Sequence, residues 1–171
     1  MEALAIKGNE SAQGVSGLEG KYLTFSLGNE EYGVGILKVR EIIGLMEITA
    51  VPHTPAYIRG VINLRGRVIP VLELRLKFSM ERQPYNERTC VIVVEVQGKT
   101  EAIQVGMLVD SVSEVLNINA EEIEPPPCFG GNDVATDNIL GMGKIKGKVK
   151  ILLDVDRVIN EGDFDRMVGI G

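Results

Sequence analysis

Apolar and polar residues alternate along most of the chain from residue 21 onward, with the period of two that is typical of β-strands. Short turns that contain glycine or polar residues separate these segments in pairs, and this predicts hairpins over residues 22–36, 61–72 and 90–109. A further strand is predicted at 39–43, where both faces hold apolar residues, so that one face is buried and the other is partly covered. The pattern predicts a mainly β protein.

Three places interrupt the strand pattern. Thr54 followed by Pro55 suits the start of a single helical turn, because a hydroxyl can cap a helix and proline is accepted at its first position. The clearest helix follows Asp154, the predicted N-cap, with apolar residues at helical spacing over 155–159. Pro70 cannot donate a ladder hydrogen bond, so we expect its strand at a sheet edge or this position facing outward.

The chain contains an internal repeat with an offset of 81 positions, which matches segment 58–75 to segment 139–156. Apolar and glycine positions recur in register, and so do two charged pairs, Arg67 with Lys148 and Glu73 with Asp154. A weaker match at an offset near 70 indicates that the second half carries extra residues, around 125–133. Two units of roughly 70–80 residues with about five short strands each fit two small barrels packed side by side.

Charge and composition narrow the partners that the protein can have. The 171 residues include 18 Lys plus Arg against 24 Asp plus Glu, a net charge of −6, with no basic block, which argues against nucleic acid and anionic membranes. No apolar run is long enough to cross a bilayer, so we expect no direct membrane insertion. Residues 1–20 are small and polar and lack the pattern of a signal peptide, which predicts a flexible tail and a cytoplasmic protein.

The residue types that carry catalysis are sparse. The single histidine, His53, excludes mechanisms with two imidazoles, and two cysteines, Cys90 and Cys128, cannot make a disulfide scaffold or a four-thiolate metal site. Glu73 and Asp154 could act as an acid–base pair, but both precede predicted helical turns, where N-capping accounts for them. We therefore expect no catalytic residues, no metal and no cofactor.

Two segments resemble the signature sequences of the CheW family of chemotaxis coupling proteins. Segment 59–75, RGVINLRGRVIPVLELR, is similar to the family pattern G-V-x-N-L-R-G-x-[IV]-[IV]-P-[IV]-x-[DN]-L-R, with Glu73 where Asp is commoner. Segment 106–116, GMLVDSVSEVL, is similar to the pattern G-x-x-V-D-x-V-x-x-V-L. Shorter matches are ILG at 139–141 and LLDVD at 152–156, and the whole resemblance covers about residues 21–161.

The resemblance implies a mainly all-β fold of two SH3-like five-stranded β-barrels, related by a pseudo-two-fold internal repeat, with short helical turns and a C-terminal helix. It implies one CheW-like domain over residues 21–162, made of two intertwined barrel subdomains at about 21–85 and 86–162. A C-terminal tail follows at 163–171. The repeat found in the sequence agrees with this architecture.

The same resemblance implies a non-enzymatic adaptor that couples methyl-accepting chemoreceptors to the histidine kinase CheA and scaffolds the receptor–kinase array. Its partners would be the SH3-like regulatory domain of CheA and the cytoplasmic receptor tips, and its location the cytoplasm, recruited to membrane-associated receptor arrays. Position by position, the family's receptor-binding residues correspond to Val39, Glu41, Gly60 and Arg65. Ile48, an apolar residue between polar neighbours, is a candidate kinase contact at an exposed barrel edge.

Other interpretations stay open at this point. A small hydrolase would need Glu73 and Asp154 in a shared cleft, and an oligonucleotide-binding barrel would need a basic face with interleaved aromatics, whereas aromatics are 5% of the chain and tryptophan is absent. Arg65 alone is also typical of a solvated turn. Gly60 and Gly66 suit positive φ or close backbone approach, and for Gly60 this structural role is an alternative to receptor binding.

Overall fold

The computed structural model describes residues 17–98, 100–126 and 138–159, in which eleven strands form two sheets. The strands are β1 (Gly20–Leu27), β2 (Glu30–Gly35), β3 (Val39–Gly44), β4 (Ile58–Leu64), β5 (Arg67–Glu73), β6 (Cys90–Gln97), β7 (Ala102–Val109), β8 (Ser111–Ile118), β9 (Ile123–Glu124), β10 (Ile139–Ile145) and β11 (Lys148–Leu153). The helical elements are α1 (Leu74–Lys77), α2 (Val155–Val158) and the 3₁₀ turns Ile36–Lys38 and Ala120–Glu122.

The chain passes from one sheet to the other twice. The six-stranded sheet has the order β8-β1-β2-β11-β10-β9, and the five-stranded sheet has the order β3-β6-β7-β5-β4. Parallel pairing joins β2 to β11 and β5 to β7. The expected subdomains at 21–85 and 86–162 therefore each contribute strands to both sheets. Because each half pairs its strands with those of the other half, a boundary near residue 85 does not separate the two sheets.

The 81-residue repeat marks equivalent hairpins in different sheets, as expected. Hairpins β4–β5 and β10–β11 share the same register, with a bulge after Ile58 in one and after Ile139 in the other. Both close through two-residue turns, Arg65–Gly66 and Lys146–Gly147, whose four φ angles lie between 52° and 88°. Positive φ at both central residues is the type I′ geometry that matches the twist of a hairpin.

Buried apolar side chains form three clusters. One cluster lies between the two sheets, and each of the other two lies within one curled sheet. The repeat also predicts which cluster a residue joins. Leu72 and its equivalent Leu153 pack between the sheets, whereas the preceding Val71 and Leu152 pack inside the five-stranded and six-stranded units. Alternation along a strand sends neighbours to opposite faces, so each hairpin contributes to two cores at once.

The predicted helical turn and one alternative for Pro70 are wrong. Residues 54–58 form a turn in place of a helix: the Ile58 N–H donates to the Pro55 carbonyl, and the Thr54 hydroxyl donates to the Val51 carbonyl. Since β4 already begins at Ile58, no length remains for a helical turn. Of the two alternatives for Pro70, the edge strand is wrong, because β5 lies between β7 and β4. Pro70 itself has no partner in the ladder with β7, which begins at the next residue, so its missing N–H costs no hydrogen bond there.

The helix expected after Asp154 is present as the single turn α2, whose capping carboxylate accepts from the Asp156 N–H. Residues 160–171 lie outside the described residues, as do residues 1–16, so the predicted tails are not tested by the structure. The loop that contains Cys128 lies outside the described residues as well.

Gly60 permits a segment of chain to close over the edge strand β4. Its φ is 143°, and an added Cβ would lie 2.0 Å from the Thr49 carbonyl oxygen. Thr49 and Val61 exchange two backbone hydrogen bonds of 2.9 Å, so the segment that carries Ile48 covers the strand. At Gly141, the repeat equivalent, an added Cβ would likewise lie close to a backbone carbonyl oxygen, that of Glu124, at 2.9 Å. The close-approach interpretation of Gly60 is confirmed.

We expect Gly60→Ala to destabilise the protein by about 2–3 kcal/mol, because the new methyl group displaces the Thr49 backbone from β4 and the backbone is strained. Gly66→Ala is the matched control: its φ is 88°, but no atom lies within 4 Å of the added Cβ. We expect it to cost about 1 kcal/mol. Urea unfolding of both variants measures the difference, and equal losses would contradict the steric explanation.

Candidate functional site

Arg65 and Glu41 form a bidentate ion pair on the surface. Arg65 donates from Nη2 to Oε1 of Glu41 at 2.5 Å and from Nη1 to Oε2 at 3.1 Å. The Arg65 side chain is 69% exposed, which leaves it within reach of a partner. Its hydrogen bonds lower the pKa of Glu41, and Glu41 in turn raises the pKa of Arg65. Both groups are therefore charged throughout the physiological range of pH.

The local fold accounts for this geometry. Arg65 occupies a left-handed turn position, and the Gly66 N–H donates to the Asn63 side chain, which holds the turn in place. Glu41 lies on β3, at the opposite edge of the same five-stranded sheet from β4. A side-chain pair between the β4–β5 turn and β3 requires the sheet to curl until its two ends approach, which is the geometry of a small barrel.

The other two predicted receptor residues lie on the same strands. Val39 begins β3, two residues before Glu41, and is half-buried against the cluster between the sheets. Gly60 lies on β4, the strand that leads to the Arg65 turn. Of the four predicted receptor residues, the two charged ones, Glu41 and Arg65, are therefore in contact. Val39 packs on the core, and Gly60 allows the close backbone approach described above.

Ile48 is less exposed than the sequence suggested. Its side chain is partly buried and, with Ile43 and Met46, packs against the cluster inside the five-stranded unit. Through Thr49, the segment also occupies the edge of β4 that was expected to be open. A kinase contact at Ile48 remains a prediction.

Sequence reasoning missed a partly buried charge cluster that ties the sheets together, which we call the Arg75 node. Arg75 follows β5 and donates to both carboxylate oxygens of Asp110, at 2.8 Å and 2.6 Å, and to the Glu81 carbonyl at 3.0 Å. Asp110, where the chain crosses from β7 to β8, also accepts from the Gly28 N–H at 2.8 Å. Arg75 lowers the pKa of Asp110, with a further contribution from the Gly28 N–H.

A second cluster, the Asp156 node, stands at the equivalent place with its charges exchanged. Asp156 lies 81 positions after Arg75 and follows β11. It accepts from Lys38 Nζ at 2.7 Å, at the crossing from β2 to β3, and from the Gln97 N–H at 3.0 Å. Burial opposes ionisation of Asp156, but these hydrogen bonds outweigh it and lower the pKa. Arg75 and Asp156 carry opposite charges at equivalent positions of the repeat, and this was the sequence signal that could have revealed the two nodes.

Comparison with known proteins decides the family. Residues 21–163 match the family model of the CheW-like domain. The chain belongs to the CheW family. It is 41% identical over 144 residues to the chemotaxis protein CheW of Klebsiella aerogenes, with 84% of each chain covered. It is 33% identical to the chemotaxis protein CheW of Helicobacter pylori, with 84% of this chain and 83% of that one covered.

A solved structure supports the same assignment. The crystal structure of the scaffolding protein TtCheW from Thermoanaerobacter tengcongensis is similar with a TM-score of 0.74 and 34% identity, and the match covers 85% of this chain and 95% of that one. The fold is thus a pair of SH3-like β units, and the protein is a non-enzymatic chemotaxis coupling adaptor. In the described ranges, no helix is long and apolar enough to cross a membrane.

The two carboxylates of the hydrolase hypothesis have separate structural partners. Glu73 is buried and accepts from the Tyr85 hydroxyl at 3.0 Å, with Arg59 at 3.5 Å and Arg82 at 4.0 Å. It makes no capping hydrogen bond to α1, so the predicted capping role of Glu73 is wrong: its longer side chain is directed to these partners. Asp154 caps α2 as expected.

We expect Asp110→Asn to lower the free energy of unfolding by about 1–3 kcal/mol at pH 7, because Arg75 loses a charged, partly buried partner. The pKa of Asp110 is lower in the folded protein than in the unfolded chain, so its contribution is complete above the unfolded value and is lost as pH falls through the folded value. The difference between wild type and variant should therefore shrink below about pH 4.

Urea titrations of both proteins between pH 7 and pH 2.5 measure this difference. A difference that stays constant over the whole range would contradict the proposed role of the Arg75–Asp110 contact.

Proposed function

We propose that this adaptor couples the cytoplasmic tips of methyl-accepting chemoreceptors to the regulatory domain of the histidine kinase CheA, in the cytoplasm at membrane-associated receptor arrays. The Glu41–Arg65 pair is the observation that carries the receptor part of the proposal. The family resemblance implies receptor binding for both residues, although they lie on separate segments of the sequence. Their side chains meet on an exposed surface of one barrel.

The chemistry of this surface suits a helical partner. Leu37 is 85% exposed and lies in the turn that leads into β3, so an apolar side chain is exposed close in the chain to Val39 and Glu41. Ile42, the next residue after Glu41, lies on the opposite face of the strand. A helix that lays an apolar stripe on such a surface presents polar groups at its rim. The planar fork of Arg65 can pair with a carboxylate or carbonyl there while its stem lies on apolar surface.

Glu41 would serve to orient Arg65 before the partner arrives. An exposed ion pair contributes little to stability, so Arg65 can exchange part of its contact with Glu41 for a contact with the receptor at small cost. Because the left-handed turn restricts the backbone at Arg65, the guanidinium starts from a defined position. Less ordering is then needed on binding, which favours affinity.

We expect Arg65→Glu to weaken binding of a receptor cytoplasmic fragment at least tenfold, because it removes the cation and places a second carboxylate beside Glu41. Lys146→Glu is the matched control, since Lys146 occupies the same turn position in the other hairpin. We expect the control to retain wild-type receptor affinity, and both variants to retain affinity for the kinase regulatory domain. Isothermal titration against each partner measures these affinities.

The charge-exchanged double variant Glu41→Arg with Arg65→Glu separates pairing from direct contact. It restores an ion pair but reverses the orientation of the charges, so receptor binding should stay weak if Arg65 touches the receptor. Wild-type receptor affinity in Arg65→Glu, or loss of both partners together, would contradict the site.

For the kinase, we expect Ile48→Asp to weaken binding of the regulatory domain at least fivefold while receptor binding is unchanged, because the substitution adds a charge to an apolar contact. Ile48 also packs on the core, so Ile48→Ala is the companion variant, with an expected loss of stability of about 1–2 kcal/mol. Thermal unfolding checks that both variants are folded. Unchanged kinase affinity in folded Ile48→Asp would show that the kinase binds elsewhere.

A further inference from the structure

The 3₁₀ turn Ile36–Lys38 presents the most exposed apolar side chain of the candidate surface and leads directly into Val39. It is held weakly by its own hydrogen bonds: Gly35 offers no side-chain cap, and the bond at its end runs from the Val39 N–H to the Ile36 carbonyl. A 3₁₀ turn of this length has poorer hydrogen-bond geometry than an α-helix. Contacts from outside the turn must therefore contribute to its position.

Asp156 supplies such a contact from the other end of the chain. Its Oδ2 accepts from Lys38 Nζ at 2.7 Å, and its Oδ1 accepts from the Gln97 N–H at 3.0 Å. Asp156 belongs to α2, whose side chains Val155 and Val158 are fully buried in the cluster between the sheets. The carboxylate is thus anchored to the shared core and is held against the turn.

We propose that Asp156 is a positioning residue for the receptor surface, acting through Lys38, an inference that rests on the proposed receptor-binding function. Lys38 stands between exposed Leu37 and half-buried Val39, so its ion pair sets the direction in which the turn presents Leu37 to a partner. The receptor surface, although carried by residues 37–65, then depends on a residue in the second half of the chain.

The Arg75 node provides a matched control. It has the same architecture, with an ion pair and one backbone N–H on the carboxylate, but its crossing segment leads into β8 and not into β3. A variant there removes a comparable inter-sheet contact without touching the turn that carries Leu37. Any effect that follows from general loosening of the sheets should appear at both nodes.

The test is a double-mutant cycle in receptor affinity. Asp156→Asn keeps an acceptor for the Gln97 N–H but removes the charge, and Lys38→Gln removes the other partner. We expect each to weaken receptor binding about three- to tenfold, and the double variant to be no weaker than either single one, because they remove the same interaction. Asp156→Glu, which keeps the charge, should retain most of the affinity, and Asp110→Asn should stay within about twofold of wild type.

Additive effects in the cycle would show that Asp156 acts independently of Lys38 and would overturn the inference. So would wild-type affinity in Asp156→Asn, or an equal loss in Asp110→Asn. Arg65→Glu, measured in the same titrations, tests the proposed function separately, because its result does not depend on the Asp156 node.

Hydrogen exchange in the free protein decides the inference even if the receptor fragment fails to bind. We expect the Val39 amide, which donates to the Ile36 carbonyl, to exchange about three- to tenfold faster in Asp156→Asn and at the wild-type rate in Asp110→Asn. Unchanged exchange at Val39 in Asp156→Asn would overturn the positioning role.

Discussion

The parallel pairing of β2 with β11 and of β5 with β7 is the constraint on which the rest of the structure depends. Each pairing joins strands from different halves of the sequence, so neither sheet can be completed by one half alone. The shared cluster between the sheets follows from it, since both repeat hairpins direct one face there. Small units of this size bury proportionally little surface and would be only marginally stable singly, and the exchange of strands lets them fold as one body.

The same exchange explains where ion pairs link the two sheets. At each crossing between the sheets, a carboxylate satisfies the N–H of a hairpin end and pairs with a cation, in the Arg75 node and the Asp156 node. The carboxylate of Asp110 comes from the crossing segment, whereas that of Asp156 comes from helix α2. The two halves of the repeat thus keep the same kind of ion pair but exchange the positions of the acid and the base. A surface carried by β3 and the β4–β5 turn is consequently supported by residues far away in sequence.

Much of the fold could be predicted because its signals are patterns in the sequence itself. Alternation, turn glycines and the 81-residue offset indicated the hairpins, and the positive φ angles of Gly60 and Gly66 followed from the conformational freedom of glycine. Non-local partners could not be predicted: Glu73 looked like a cap but pairs with Tyr85 and arginines brought from other segments. The pairing of Arg65 with Glu41 also lay beyond local patterns, since resemblance named both residues but only the curl of the sheet joins them.

The most direct test of the receptor surface is an amide chemical-shift titration of the intact protein with a receptor cytoplasmic fragment. The two hairpin turns are internal references for each other, because Gly66 and Gly147 have nearly the same backbone conformation but lie in different sheets. We expect progressive shifts at Gly66, Glu41 and residues 37–39, and none at Gly147. Shifts centred on Gly147, with Gly66 and Glu41 unmoved, would contradict the receptor surface proposed above.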